Sequence, residues 1–431
     1  EEIRIREGFM VVALTWITLS LVGALPFVIS GILPSYTDAV FETMSGLTTT
    51  GSTILGGTTS TGFQNPDIES LPHSFLFWRS LAHWLGGMGI IVLSLAILPL
   101  LGIGGMQLFQ AESPGPTADK LTPRVQETAK LLWVVYVALT ALEFMLLWLH
   151  PSMDWFDALN HAFATLATGG FSTKNASIAA FDSAYIDVII TLFMFLAGIN
   201  FAMHFRLFKG DLNSFFNNRE TRFYTLITLI GIVIITFSLW YFDGRTLVEA
   251  FRYGSFQVVA IITTTGFGTD DYELWYSFGA FVLLLLFFTG GSAGSTGGGI
   301  KMIRWMILVR NLGREIKQII HPRAILPVRI GDQAIDPYIQ RTVLSFFILY
   351  ILIFGLGALL ISFFGYDLMS SIGASISALG NIGPGWGEFG PTDNFAPLPY
   401  AAKWVLIVLM MVGRLELFTV IILFSPSFWK Q

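Results

Sequence analysis

Asp38-Ala39-Val40-Phe41-Glu42-Thr43-Met44-Ser45-Gly46-Leu47-Thr48-Thr49-Thr50-Gly51-Ser52 is a moderately apolar segment that opens on an acid and closes on small polar residues. Three later stretches share its plan. They run from Asp157 to Ala167-Thr168-Gly169, from Glu249 to Thr264-Thr265-Gly266, and from Asp367 to Asn381-Ile382-Gly383. From acid to glycine the spacings are 13, 12, 17 and 16 residues, and successive glycines lie 118, 97 and 117 residues apart. At about 1.5 Å of rise per residue, each predicts a helix of only three to five turns, shorter than the ~30 Å core of a bilayer. A recurrence of this length marks an internal repeat. A half-length helix can end at membrane depth only where protein or water covers its free carbonyls, so the four ends are expected to face one shared cavity.

The surrounding sequence supports a membrane setting. Of the 431 residues 54% are hydrophobic and 12% charged, and mean hydropathy is +0.67. Windows 8–37, 80–111, 188–205, 223–242, 274–300 and 342–366 lack Asp, Glu, Lys and Arg altogether. Two further apolar stretches, 131–153 and 404–429, are interrupted by Glu143 and by Arg414 with Glu416, giving eight candidate spans. Segments 1–7, 104–130, 206–222, 301–341 and 430–431 hold 18 of the 24 Lys and Arg residues, which predicts that these connectors and both termini are cytoplasmic. The opposite side holds 16 of the 29 acids, including Asp67, Glu69, Asp270, Asp271, Glu273, Glu388 and Asp393, and is expected to form an acidic, cation-concentrating vestibule.

Several function classes are excluded. A net charge of −5 spread over short loops offers nucleic acid no basic surface. With no cysteine there is neither a thiolate metal site nor a thiol nucleophile. Histidines 73, 83, 150, 161, 204 and 321 do not pair on one face of a span and read as packing residues. No activated nucleophile is evident, so the chain reads as a non-enzyme.

The Thr/Gly tips have a positive use: glycine lets successive carbonyls aim at one axis, and rings of carbonyls can replace the hydration shell of an alkali cation. A second feature is Gly290-Gly291-Ser292-Ala293-Gly294-Ser295-Thr296-Gly297-Gly298-Gly299, with six glycines in ten residues, which should unwind the span that contains it. It is not a nucleotide loop, because Ile300 and Met302 stand where that motif requires Lys and Ser or Thr. Arg414, deep in the last span, is costly there unless it faces a cavity or a partner; Glu416, two residues on, should point to another helix face.

These four units, with His83-Trp84-Leu85-Gly86-Gly87-Met88-Gly89-Ile90, Gly294-Ser295-Thr296-Gly297-Gly298-Gly299 and Gly413-Arg414-Leu415-Glu416, resemble the Trk/Ktr/HKT superfamily of cation transporters, and within it the bacterial TrkH type. The resemblance covers essentially the whole chain. It implies an all-α polytopic membrane protein of four membrane–pore-loop–membrane repeats in pseudo-fourfold arrangement around one ion path. The repeats would span 1–103, 104–210, 211–320, with a broken second helix and intramembrane loop 288–300, and 321–431. The helix pair that usually precedes the first repeat is expected to be missing from this sequence. K⁺ would be held by Thr49, Thr50, Gly51, Ala167, Thr168, Gly169, Thr264, Thr265, Gly266, Asn381, Ile382 and Gly383, with filter glycines at 51, 169, 266 and 383. Residues 290–299 and Arg414 would form the gate. The resemblance further implies potassium uptake across a bacterial inner membrane, a homodimer, and a cytosolic nucleotide-binding regulatory ring of the TrkA type. An ion-coupled symporter and a non-conducting scaffold or sensor are the rival readings.

Overall fold

The computed structural model describes residues 5–96, 121–324, 326–331 and 333–429. The expected boundary between the first two repeats at 103/104, most of connector 104–130 and the outermost residues of both termini lie outside the described residues.

Four apolar helices, Glu7–Ile29, Thr128–Trp148, Arg219–Tyr241 and Pro337–Phe363, contain 23, 21, 23 and 27 residues. Each is long enough to cross a bilayer core. Only 22–39% of their most apolar windows is buried, and side chains such as Val11, Val134, Val233 and Leu352 point outward, where lipid is the solvent that suits them.

Each long helix leads into a short one: Tyr36–Leu47, Trp155–Leu166, Leu247–Ile262 and Leu368–Gly380, of 12, 12, 16 and 13 residues. Side-chain caps fix where they begin. Ser35 accepts from the Asp38 amide, Asp154 from Asp157, and Asp367 from Met369 and Ser370, while Thr246 and Glu249 form a reciprocal capping box. Asp38, Asp157 and Glu249 therefore lie in the first turn of their helices rather than at the start, and only Asp367 is itself the cap. The short helices are wrapped by the rest of the molecule; every residue from Asp38 to Gly46 is buried.

Among the eight expected spans only the one holding the glycine run is expected to be broken, and the second spans depart from that. His73–Ala96 is one helix within the described residues. Ala184–Ala197 and Phe201–Phe208 meet at 102°, and Tyr400–Arg414 and Phe418–Phe424 at 111°. Between Ser277–Leu286 and Met302–Ile320 the chain is irregular. The glycine run predicted only this last break. The other two form because Asn200 turns its side chain back to cap Ala202, and because Glu416 and Leu417 take positive φ values of 64° and 43°. Among the described residues the only strands are the two-residue pair Arg329–Ile330 and Gln333–Ala334. The architecture is an all-α polytopic membrane protein in which long helices surround four short helices and the loops that follow them.

Candidate functional site

All four short helices end in the same backbone conformation. Thr49, Thr168, Thr264 and Asn381 are left-handed, with φ of 50°, 54°, 58° and 55°. Two residues later comes a glycine of positive φ: Gly51 at 84°, Gly170 at 80°, Gly266 at 75° and Gly383 at 107°. Between them, the amides of Thr50, Gly169, Thr265 and Ile382 donate to the carbonyls of Ser45, Ala164, Ala260 and Ser377 at 2.8–3.0 Å. This register corrects the sequence alignment in the second loop. The glycine equivalent to Gly51, Gly266 and Gly383 is Gly170, not Gly169, because matching on the first glycine of the Gly169-Gly170 pair shifts that loop by one residue. Thr168, rather than Ala167, is then the counterpart of Thr49 and Thr264, and Ala167 aligns with Thr48 and Thr263. β-Branched residues rarely adopt left-handed angles, and each such residue stores about 1–3 kcal/mol of strain.

The four loops close on one another. A Cβ added to Gly51 would run into the carbonyl oxygen of Gly169, one on Gly170 into that of Thr265, one on Gly266 into that of Ile382, and one on Gly383 into that of Thr50, all within 3.0 Å. The order is cyclic, each glycine lying against the carbonyl that precedes the next loop's glycine. No side chain fits at these junctions. The C-terminal ends of the four short helices abut the ring, and their partial negative charge favours a cation there.

Buried polar contacts hold the ring from outside. Arg79 donates to Glu42 at 2.8 Å and to the Ser172 carbonyl at 3.1 Å, while Glu42 also accepts from the Ile54 amide, so one ion pair ties the first loop to the second. His83 accepts from the Phe171 amide at Nε2, which leaves its Nδ1–H to donate to the Gly46 carbonyl at 2.8 Å. Asn381 donates to the Thr50 hydroxyl at 3.0 Å and to the Met410 carbonyl at 2.9 Å, joining the fourth loop to the first. Ser52 and Ser377 both donate to the Gly383 carbonyl, a feature that makes the ring only approximately fourfold.

The glycine-rich run lies directly against this ring. The Gly298 amide donates to the Thr264 hydroxyl at 2.6 Å, and a Cβ on Gly298 would meet the Gly380 carbonyl. The other two helix breaks converge on the same loop. Ser292 donates to the Gly198 carbonyl at 2.8 Å and Phe201 to that of Gly294 at 3.0 Å, so the bend at 198–200 is a dock for the loop. Arg414, 2% exposed, donates to the carbonyls of Thr296 at 2.7 Å and Gly86 at 3.3 Å, and has no carboxylate partner among the described residues. Glu416 pairs instead with Arg304, which stacks 3.8 Å from the Phe346 ring centre. It points away because the helix ends at Arg414, not because a continuing helix turns it.

Two contacts at this site escaped sequence reasoning. Glu220 is buried and accepts from the amides of both Ala293 and Ile303 at 2.7 and 3.1 Å, clasping the loop on its two sides. Lys301 bonds the Gly297 carbonyl. Glu220 carried no motif; its only signal was an acid at the start of an apolar span.

The acids of the expected vestibule are partly neutralised. Arg79, Lys174, Arg245, Arg252 and Lys403 each pair with an acid, respectively Glu42, Asp157, Asp270, Asp187 and Asp38. Among the acids that remain, burial pushes Glu273 above the usual carboxylate range, and Asp271 and Asp393 nearby add to the rise; Asp393 moves the same way for the same reasons.

A polytopic bundle that presents a closed ring of backbone carbonyls, with helix ends aimed at it, has the construction of a cation-transport protein. The profile of the TrkH family, described as a cation transport protein, matches residues 1–431, and the chain belongs to that family. The chain is 45% identical to the Trk system potassium uptake protein TrkH of Escherichia coli K12, covering 100% of this chain and 87% of that protein. It is 43% identical, with the same coverage, to TrkH of Halomonas elongata. The crystal structure of the potassium transporter TrkH from Vibrio parahaemolyticus superimposes with a TM-score of 0.90 at 39% identity, over 100% of this chain and 87% of that one.

Proposed function

We propose that this chain carries potassium into the cell along the axis of the ring. The observation that carries this reading is the cyclic contact of four glycines with four carbonyls, since a ring of this kind can replace the water around K⁺. Thr49, Thr50, Gly51, Thr168, Gly169, Thr264, Thr265, Gly266, Asn381, Ile382 and Gly383, together with Gly170, build the selective site, and Ala167 stands behind it. The loop 290–299 is the gate, and the positive charge of Arg414 opposes a cation just below the ring. Both termini and the connectors 206–222 and 301–341 face the cytoplasm, where a TrkA-type nucleotide-binding ring acts on a homodimer through the loop's basic extension. The repeat boundaries 1–103, 104–210, 211–320 and 321–431 belong to the same reading.

Reconstitution into liposomes with an electrical readout tests it. The expected result is a K⁺ current that reverses near the K⁺ equilibrium potential. A current that follows an imposed proton or sodium gradient instead identifies a coupled symporter, and the absence of K⁺ flux from folded protein identifies a scaffold.

A further inference from the structure

Beside the intramembrane loop, on the outward-turned side of the helix bundle, lies an apolar groove of about 430 Å³. Phe223, Ile227, Trp305 and Phe347 form its walls, and Phe288 and Ile300, at the two ends of the loop, form part of its floor. Trp305 also donates to the Phe288 carbonyl at 3.2 Å, so the groove wall is bonded to the loop's first turn. A second cavity of about 310 Å³ shares Phe223 and Val309 with the groove and is lined by Arg219, Arg222 and Arg310. Arg222 donates to the Phe216 carbonyl and Asn217, and Arg310 to the Arg329 carbonyl. None of the three arginines has a carboxylate partner among the described residues.

An apolar trough ending in three guanidiniums that have no carboxylate partner among the described residues is complementary to a phospholipid, with acyl chain against apolar wall and phosphate against guanidinium. Guanidinium groups bind phosphate oxygens bidentately, and basic pockets between spanning helices recognise anionic head groups. A zwitterionic head group would bring its own cation among the arginines, so the charge balance selects an anionic one.

We propose that the two cavities form one binding site for an anionic phospholipid. Its phosphate sits among Arg219, Arg222 and Arg310, and an acyl chain runs along Phe223, Ile227 and Trp305 to brace Phe288 and Ile300. Arg219 precedes Glu220, the residue that clasps both sides of the loop, so head group and chain bear on the loop from its two ends. The binding itself is independent of the transport reading; that the lipid thereby steadies a gate rests on it.

The test uses the full chain, delipidated in detergent and given phosphatidylglycerol or phosphatidylcholine. Native mass spectrometry reads retained lipid, and hydrogen exchange reads the amides of 288–301. The chain should retain phosphatidylglycerol about tenfold or more over phosphatidylcholine, and exchange in the loop should slow when phosphatidylglycerol is bound. A variant carrying Arg219→Ala, Arg222→Ala and Arg310→Ala should lose the preference, and Ile227→Trp, which fills the groove but keeps the arginines, should lose retention of both lipids. Equal retention of the two lipids, or a preference unchanged in the triple variant, overturns the proposal. So does displacement of phosphatidylglycerol by millimolar inorganic phosphate, which would mark a free-anion site. An Ile227→Trp variant that alters the oligomeric state while lipid retention is unchanged would mark a subunit contact and also overturns it. Because none of these readouts is an ion flux, a failure here is distinct from a failure of the transport reading.

Discussion

The ring and the loop beneath it are both rich in glycine and both break helices, yet they are built in opposite ways. In the ring one contact recurs four times, each glycine pressed against the next loop's carbonyl, and buried pairs such as Glu42–Arg79 brace it from behind. In the loop no contact repeats. It is held by a carboxylate at Glu220, a hydroxyl at Thr264, a guanidinium at Arg414 and the bent backbone at 198–200, each from a different segment of the chain. A site that must hold one geometry gains from cyclic interlocking, because no single loop can move without its neighbours. If the loop is the gate proposed above, its separate attachments can be released one at a time.

The comparison breaks most visibly at Gly266. Its missing side chain faces the Ile382 carbonyl and the Pro384 ring, and its φ is 75°. Gly266→Ala should abolish discrimination between K⁺ and Na⁺, a change of about tenfold or more in relative permeability, measured from reversal potentials of the reconstituted variant. Retained selectivity in folded protein would separate the glycine from the ion site.

A smaller and different effect is expected in the loop. Glu220→Ala removes the acceptor for two loop amides, and Arg414→Ala removes both the bond to Thr296 and a charge whose field is strong at low dielectric. Each should raise basal K⁺ flux several-fold while leaving the K⁺/Na⁺ ratio unchanged. If either variant altered selectivity instead, the division of labour between ring and loop would be lost.

The smallest effect concerns the outer mouth. Glu273 and Asp393 have raised carboxyl pKa values, so they take up protons above the ordinary carboxylate range as pH falls. In that window the folded protein binds more protons than the unfolded chain, so these groups favour folding as pH drops and oppose it as pH rises. Their protonation also removes negative charge from the mouth. Lowering external pH from about 7 to about 5 should therefore reduce K⁺ flux at low external K⁺ by less than about threefold, and Glu273→Gln should flatten the profile. A profile unchanged by that substitution would place the titrating groups elsewhere.

Much of this plan was legible in the sequence because it repeats. Four acid-to-glycine segments revealed the short helices, and the unusual cost of six glycines in a row of ten revealed the central break. What was missed follows from physics that a linear pattern does not carry. The doubled glycine at 169 and 170 hid the register, which backbone angles resolve. The bends at 198–200 and 415–417 are local breaks that dock around the loop, and the sequence marks them only by Asn200 and by Arg414 with Glu416, which do not by themselves specify a turn of 102° or 111°. The acidic side read as one field, but six of its carboxylates are paired with five cations, two of them with Arg252. Glu220 looked like an ordinary helix-start acid until the loop amides were seen to meet it.

The central claim, that the carbonyls of Thr50, Gly169, Thr265 and Ile382 encircle a cation, is tested most directly by anomalous diffraction from crystals grown in Rb⁺. The account predicts an anomalous peak on the ring axis, bounded by those four oxygens and absent from crystals of the Gly266→Ala variant. A protein that conducts Rb⁺ but shows no peak at the ring, or shows its peak away from these carbonyls, would contradict it.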